Sequence, residues 1–174
     1  WMTDVIAHRA AERSGASFYA VIQPEGMKEH FPSTTVDCTH SAVLADFLEH
    51  VDIVITVPGF GRRGLFGSLL LGGQNRVFAE HVGATLRRHI PAYNVITDIE
   101  DIPRQLRGMH ERNPVNVPRQ QGVQIELPPR IRGASSPLWW DWEGPNLTPH
   151  TERLIDGLSQ AAMTWEPEPL NRPF

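Results

Sequence analysis

Residues 52–61 read "DIVITVPGFG", a β-branched and almost wholly apolar run from Ile53 to Val57 that stops at a Pro-Gly pair. A strand with one wet face alternates apolar and polar residues. A strand buried on both faces reads like this run, and such strands belong to sheets covered by helices on either side. "SLLLGG" (68–73) is a second segment of the same kind. Around them the apolar period lengthens to that of a helix. "NRVFAEHVGATLRRHI" (75–90) predicts a helix with Val77, Phe78, Val82 and Leu86 inward. Residues 39–51 and 148–165 predict two more, and residues 3–13 a fourth, capped by Thr3 or Asp4 and stopped by Gly15. Residues 17–23, 93–99 and 122–127 predict further strands, and 30–38 an extended segment. Strands alternating with such helices imply an α/β fold: three layers, with a mostly parallel or mixed central sheet and helices on both faces. The 174 residues suit a single domain spanning 1–174.

Composition narrows the function classes. A net charge of −4 leaves no electrostatic footprint for nucleic acid. No apolar run approaches the roughly 20 residues that span a bilayer, and no signal-peptide pattern opens the chain, so a cytoplasmic location is expected. Cys38 is the only cysteine, which excludes an internal disulfide; it reads as a small buried hydrophobe. Trp1 is not an initiator, so further sequence is expected upstream.

The chemistry concentrates in "RQQGVQIELPPRIRG" (119–133). Val123, Ile125 and Leu127 alternate with Gln124 and Glu126, two prolines follow, and then Arg130 and Arg132. Either Gln124 and Glu126 face solvent on an exposed strand, or Glu126 is a catalytic carboxylate at a strand end. In open α/β sheets ligands gather beyond the carboxyl ends of the strands. Three loops fall there: 58–64, 113–116 and the end of the Gln124–Glu126 strand. The first, "PGFGRRG", is glycine-rich, and Arg62 and Arg63 suit it to an anion held by backbone amides and guanidinium, or to a solvated turn.

Taken in order, these pieces resemble the poly-γ-glutamate hydrolase family of phages and bacteria, zinc-dependent enzymes with a zinc-carboxypeptidase-like fold. "EHFPSTTVD" (29–37) is similar to the family's L-H-I-T-S-T-x-F-D. "DIVITVPGFG" stands where the family has V-V-S-I-H-G, and "LLLGGQNR" (69–76) is similar to V-Y-V-G-G-x-D. "NPVNVPRQQGVQIELPPRIR" (113–132) resembles N-I-x-N followed by G-x-G-V-Q-L-E-L and a downstream arginine. The resemblance implies that Glu126 is the general base, taking a proton from metal-bound water. It implies an anionic glutamyl polymer or peptide as substrate, with His30, Asn113, Asn116 and Gln124 at the pocket. Arg130 or Arg132 would hold a substrate carboxylate by a bidentate contact.

The chain also departs from that pattern. "WMTDVIA" (1–7) resembles the helix start that follows the family's H-G-G-x-I-E metal motif, so those ligands would precede Trp1. Pro58 occupies the place of the histidine in S-I-H-G, and proline cannot coordinate zinc. His40, His50, His81 and His89 read as solvated or capping residues, His110 is a weaker ligand candidate, and no H-x-x-E or H-E-x-x-H spacing occurs. The expected cofactor is therefore none in this chain, against zinc in the family. Three functions stay open: hydrolysis of γ-glutamyl amide bonds; a metal-free pseudoenzyme binding an anionic ligand or a protein partner; and a structural subunit whose sheet another chain completes. Trp139, Trp140 and Trp142 suit either a core plug or such a contact.

Overall fold

This computed structural model describes residues 2–24, 26, 33–133 and 147–167, and among them are four α-helices and one four-stranded sheet. Along the chain run α1 (Thr3–Ser14), α2 (Ala42–His50), β1 (Val54–Thr56), β2 (Ser68–Gly72), α3 (Arg76–His89), β3 (Asn94–Ile96), β4 (Gly122–Glu126) and α4 (Pro149–Met163). The sheet order is β1-β4-β2-β3. β1 runs parallel to β4 and β2 parallel to β3, while β2 and β4 are antiparallel, so the sheet is mixed. β1 is short because Pro58 has no N–H for the ladder; pairing resumes for one bridge, Gly59 with Leu127.

Alternation divides the sheet into two faces. Leu69, Leu71, Val95, Val123, Ile125 and Leu127 point to the first, where α1, α3 and α4 cover them. Three charge pairs, Arg9–Glu152 (3.0 Å), Arg13–Glu152 (2.7 Å) and Arg13–Asp156 (2.6 Å), tie α1 to α4 across the surface. The second face carries Val54 and Thr56 of β1, Gln124 and Glu126 of β4, Leu70 of β2 and Ile96 of β3. Its apolar packing is split. Leu44 and Leu48 of α2 pack with Val54 and Val115 at one side, and Phe60 and Ile102 with Leu70 at the other. The polar pair of β4 lies between the two clusters.

Side-chain caps fix three helix starts. Ser41 Oγ accepts from Leu44 N, Asn75 Oδ1 from Phe78 N and Thr148 Oγ1 from Thr151 N. Several sequence expectations need correction. Neither Thr3 nor Asp4 caps α1: Met2 occupies the cap with φ 70° and no side-chain bond, although Gly15 does end the helix with φ 71°. Val77 stands 61% exposed, because the buried stripe of α3 runs through Phe78, Ala79, Val82 and Leu86. Residues 17–23 form no strand; Val21 and Ile22 are exposed and no sheet edge pairs with them among the described residues. In the 30–38 segment, Ser33–Thr35 is a 3-10 turn rather than extended chain, and a second such turn, Cys38–His40, precedes α2. Trp139, Trp140 and Trp142 lie outside the described residues.

Gly72 controls what covers the second face. A Cβ there would come within 2.1 Å of the Arg107 carbonyl oxygen. Only a glycine lets the 107–113 loop cross β2 this closely, and Gly73 N donates to the same carbonyl at 2.8 Å.

Candidate active site

With the 107–113 loop laid across it, the polar pair of β4 is buried: Gln124 is 3% exposed and Glu126 6%. The solvated-strand reading of these two residues is thereby corrected. Their hydrogen bonds form a line. Asn113 Nδ2 donates to Gln124 Oε1 at 2.7 Å, and Gln124 Nε2 donates to Glu126 Oε1 at 2.9 Å. Asn113 is itself held by the turn it caps, its Oδ1 accepting from Val115 N at 3.3 Å. The amide of Gln124 thus has only one useful orientation, with its donor toward the acid.

Glu126 ends β4 beside the segment that follows β1. Leu127 N donates to Pro58 O at 2.9 Å and Phe60 N to Leu127 O at 3.1 Å, which brings Pro58–Phe60 against the strand end. Arg132 reaches the same place from the turn after β4, its Nη2 donating to Phe60 O at 3.1 Å. Burial pushes the Glu126 carboxyl up to about 7 from an ordinary 4.5; the Gln124 hydrogen bond and the Arg132 charge act against that rise. Burial lowers the Arg132 guanidinium, and Glu126 opposes the shift.

A cleft of about 1480 Å³ opens at this point. Thr56, Pro58, Arg62, Arg104, His110, Asn113, Gln124 and Glu126 line it, and it continues past the edge of β1 between Ala7 and Ala11 of α1 and Leu44 and Phe47 of α2. Thr56, in register with Gln124, lines it with a buried hydroxyl that has no hydrogen-bond partner among the described residues.

Glu126, Gln124, Asn113 and Arg62, expected from the sequence, come together at this cleft. The others do not. Asn116 holds the loop, accepting from Gln74 N and donating to Gly108 O and His110 O. Arg63 is exposed and off the cleft. Arg130 stands with its guanidinium 5.6 Å from the Tyr93 ring centroid, and Tyr93 in turn meets His150 edge-on. His30 lies outside the described residues. Sequence reasoning missed Arg104, which leaves a 3-10 turn (Arg104–Leu106) with no periodic signal. It gave Arg130 or Arg132 as holding a substrate carboxylate.

A zinc ion takes three protein ligands and an open position in a catalytic site. Among the described residues no group of three or more His, Cys, Asp or Glu side chains could hold a metal. The neighbours of Glu126 are an amide, a guanidinium and a proline, and the guanidinium repels a cation. This donor set does not fit zinc.

A family model described as poly-gamma-glutamate hydrolase matches residues 1–135. Among solved structures, a bacteriophage poly-gamma-glutamate hydrolase superposes with a TM-score of 0.68 at 18% identity, covering 90% of this chain and 74% of that one. A structure described as "YNDL-apo (Zinc-free)" superposes with a TM-score of 0.51 at 17% identity, covering 76% of this chain and 64% of that one. At these identities the likeness shows a shared fold. No curated protein matches the chain significantly.

Proposed function

The chain belongs to the poly-gamma-glutamate hydrolase family, and from that premise we propose that it binds a γ-glutamyl polymer or peptide in the cleft and hydrolyses its amide bonds with Glu126 as general base. One observation carries the reading: a buried carboxyl, pushed up to about 7, at a strand end that opens into the cleft. A base works best when its pKa lies near the working pH. Half-ionised at neutrality, Glu126 accepts a proton from the water that attacks the amide carbonyl. It then returns that proton to the departing nitrogen.

The substrate chemistry fits the cleft wall. Each residue of a γ-linked polymer keeps a free α-carboxylate, so the chain is a regular polyanion. Arg62 and Arg104 are exposed, line the cleft from two different loops, and have no side-chain partner among the described residues. They offer charge to carboxylates on either side of the scissile bond.

A second reading, binding without cleavage, is favoured by the donor set around Glu126, which suits anions and does not fit zinc. One experiment separates the two. The chain is incubated with poly-γ-glutamate, with and without added zinc, and polymer length is followed by size-exclusion chromatography, with α-linked polyglutamate as control. Shortening of the γ-linked polymer alone supports hydrolysis. Retention of the polymer by the protein with no shortening supports the binder, and neither effect would remove both readings.

A further inference from the structure

We propose that Arg132 is a positioning residue for Glu126: it locks the segment after β1 onto the end of β4 and sets the positive charge that the buried carboxylate faces. The packing at Gly59 carries the inference. A Cβ on Gly59 would stand 2.9 Å from Arg132 Cζ and Nη1 and 3.1 Å from Nε. Position 59 is thus glycine for space, since the guanidinium lies directly on its backbone. From there Nη2 donates to Phe60 O at 3.1 Å, across the bridge that joins Gly59 to Leu127. Arg132 is brought round by the turn in which its own N–H donates to Pro129 O at 3.2 Å.

This geometry differs from that of a substrate clamp. The guanidinium is half-buried, with one face against Gly59 and Nη2 donating to a backbone carbonyl, so these contacts hold it to the protein. Among the groups that line the cleft with Glu126, β4 supplies Gln124, β1 the neutral Thr56, α1 Asp4, the 58–62 segment Arg62, and the 99–110 segment Glu100, Arg104, Arg107 and His110. Arg107 is engaged by Glu100 at 3.2 Å. Arg132 is the charged group that acts on the carboxyl, and Gln124 is the neutral one.

The test reads the charge directly, by NMR titration of the ¹³C-labelled Glu126 carboxyl in the folded protein. Arg132→Gln is expected to raise the midpoint by about one pH unit, the low end of what a lost opposite charge does. Arg132→Lys is expected to hold it near the parent value. Gly59→Ala keeps both charged residues but displaces the guanidinium, and is expected to raise the midpoint in the same direction. Should Arg132→Gln fail to fold, the alanine and lysine variants carry the test. An unchanged midpoint in Arg132→Gln or in Gly59→Ala overturns the proposal. Only the kinetic consequence, a parallel shift in the pH profile of hydrolysis, rests on the proposed function. Absence of hydrolysis with the midpoint shifts intact would refute Glu126 as base while supporting the coupling.

Discussion

Gln124 Nε2 donates to Glu126 Oε1 at 2.9 Å along a single strand, and this contact joins the acid to the loop that buries it. Residues two apart on a strand share a face, so Gln124 faces the second side of the sheet beside Glu126. Its other end is taken by Asn113. The 107–113 loop therefore buries the acid and also orients its hydrogen-bond donor.

The first consequence concerns stability. The folded Glu126 value of about 7 lies above the ordinary 4.5. The fold thus favours the protonated form; that stabilisation is fully present below about pH 4.5 and is lost as pH rises through 7. Glu126→Gln never ionises. It should exceed the parent by up to about 3 kcal/mol at about pH 8, with the two converging near about pH 4. Urea unfolding at both pH values checks this, and a parent more stable than the variant at the higher pH would refute it.

Gly72→Ala should destabilise by about 3 kcal/mol or more, because the new methyl meets a backbone carbonyl that has nowhere to go. Gly67→Ala, with open space around its Cβ, should be close to neutral and serves as the control. Equal melting temperatures for the two variants would contradict the close crossing of the 107–113 loop.

Much of this was legible in the chain. Leu69–Leu71 and the stripe from Phe78 to Leu86 announce β2 and α3 because unbroken apolar runs and helical spacing each have few alternatives. Burial of Gln124 and Glu126 was not legible, since alternation looks the same whether the polar face meets water or a covering loop. What decides it is Gly72 admitting Arg107, a contact 35 positions away in sequence. The placement of Arg130 and Arg132 has a local reason that alternation does not show. Alternation puts Arg130 and Arg132 on Glu126's face only if the strand continues past Pro128; the turn at 129–133 instead sends Arg130 to Tyr93 and Arg132 to Gly59. Residues 17–23 have a strand's pattern but pair with neither sheet edge among the described residues, which the pattern cannot reveal.

Asn113→Ala should leave Gln124 Oε1 unpaired in a buried place, at a cost of about 1–3 kcal/mol. With its amide no longer held, Gln124 donates less well to Glu126, and the carboxyl should titrate higher. Thermal melts and the carboxyl titration read the two effects separately. Loss of stability with an unmoved carboxyl would mean that Asn113 serves the turn alone.

Arg62→Ala and Arg104→Ala should each raise KM for a γ-glutamyl polymer by roughly five-fold with kcat nearly unchanged, the weight of about 1 kcal/mol for an exposed charge contact. The effect should shrink as salt is added. A fall in kcat at constant KM would place either arginine in the chemical step instead.

The central claim, that Glu126 is the base, is tested most directly by the pH dependence of kcat/KM for poly-γ-glutamate hydrolysis, measured for the parent and for Glu126→Gln. The parent rate should rise with pH through a midpoint of about 7 and level off above it. The variant should lose about 100-fold or more and show no such step. A variant within a few-fold of the parent, or a parent profile flat across neutrality, would contradict the account.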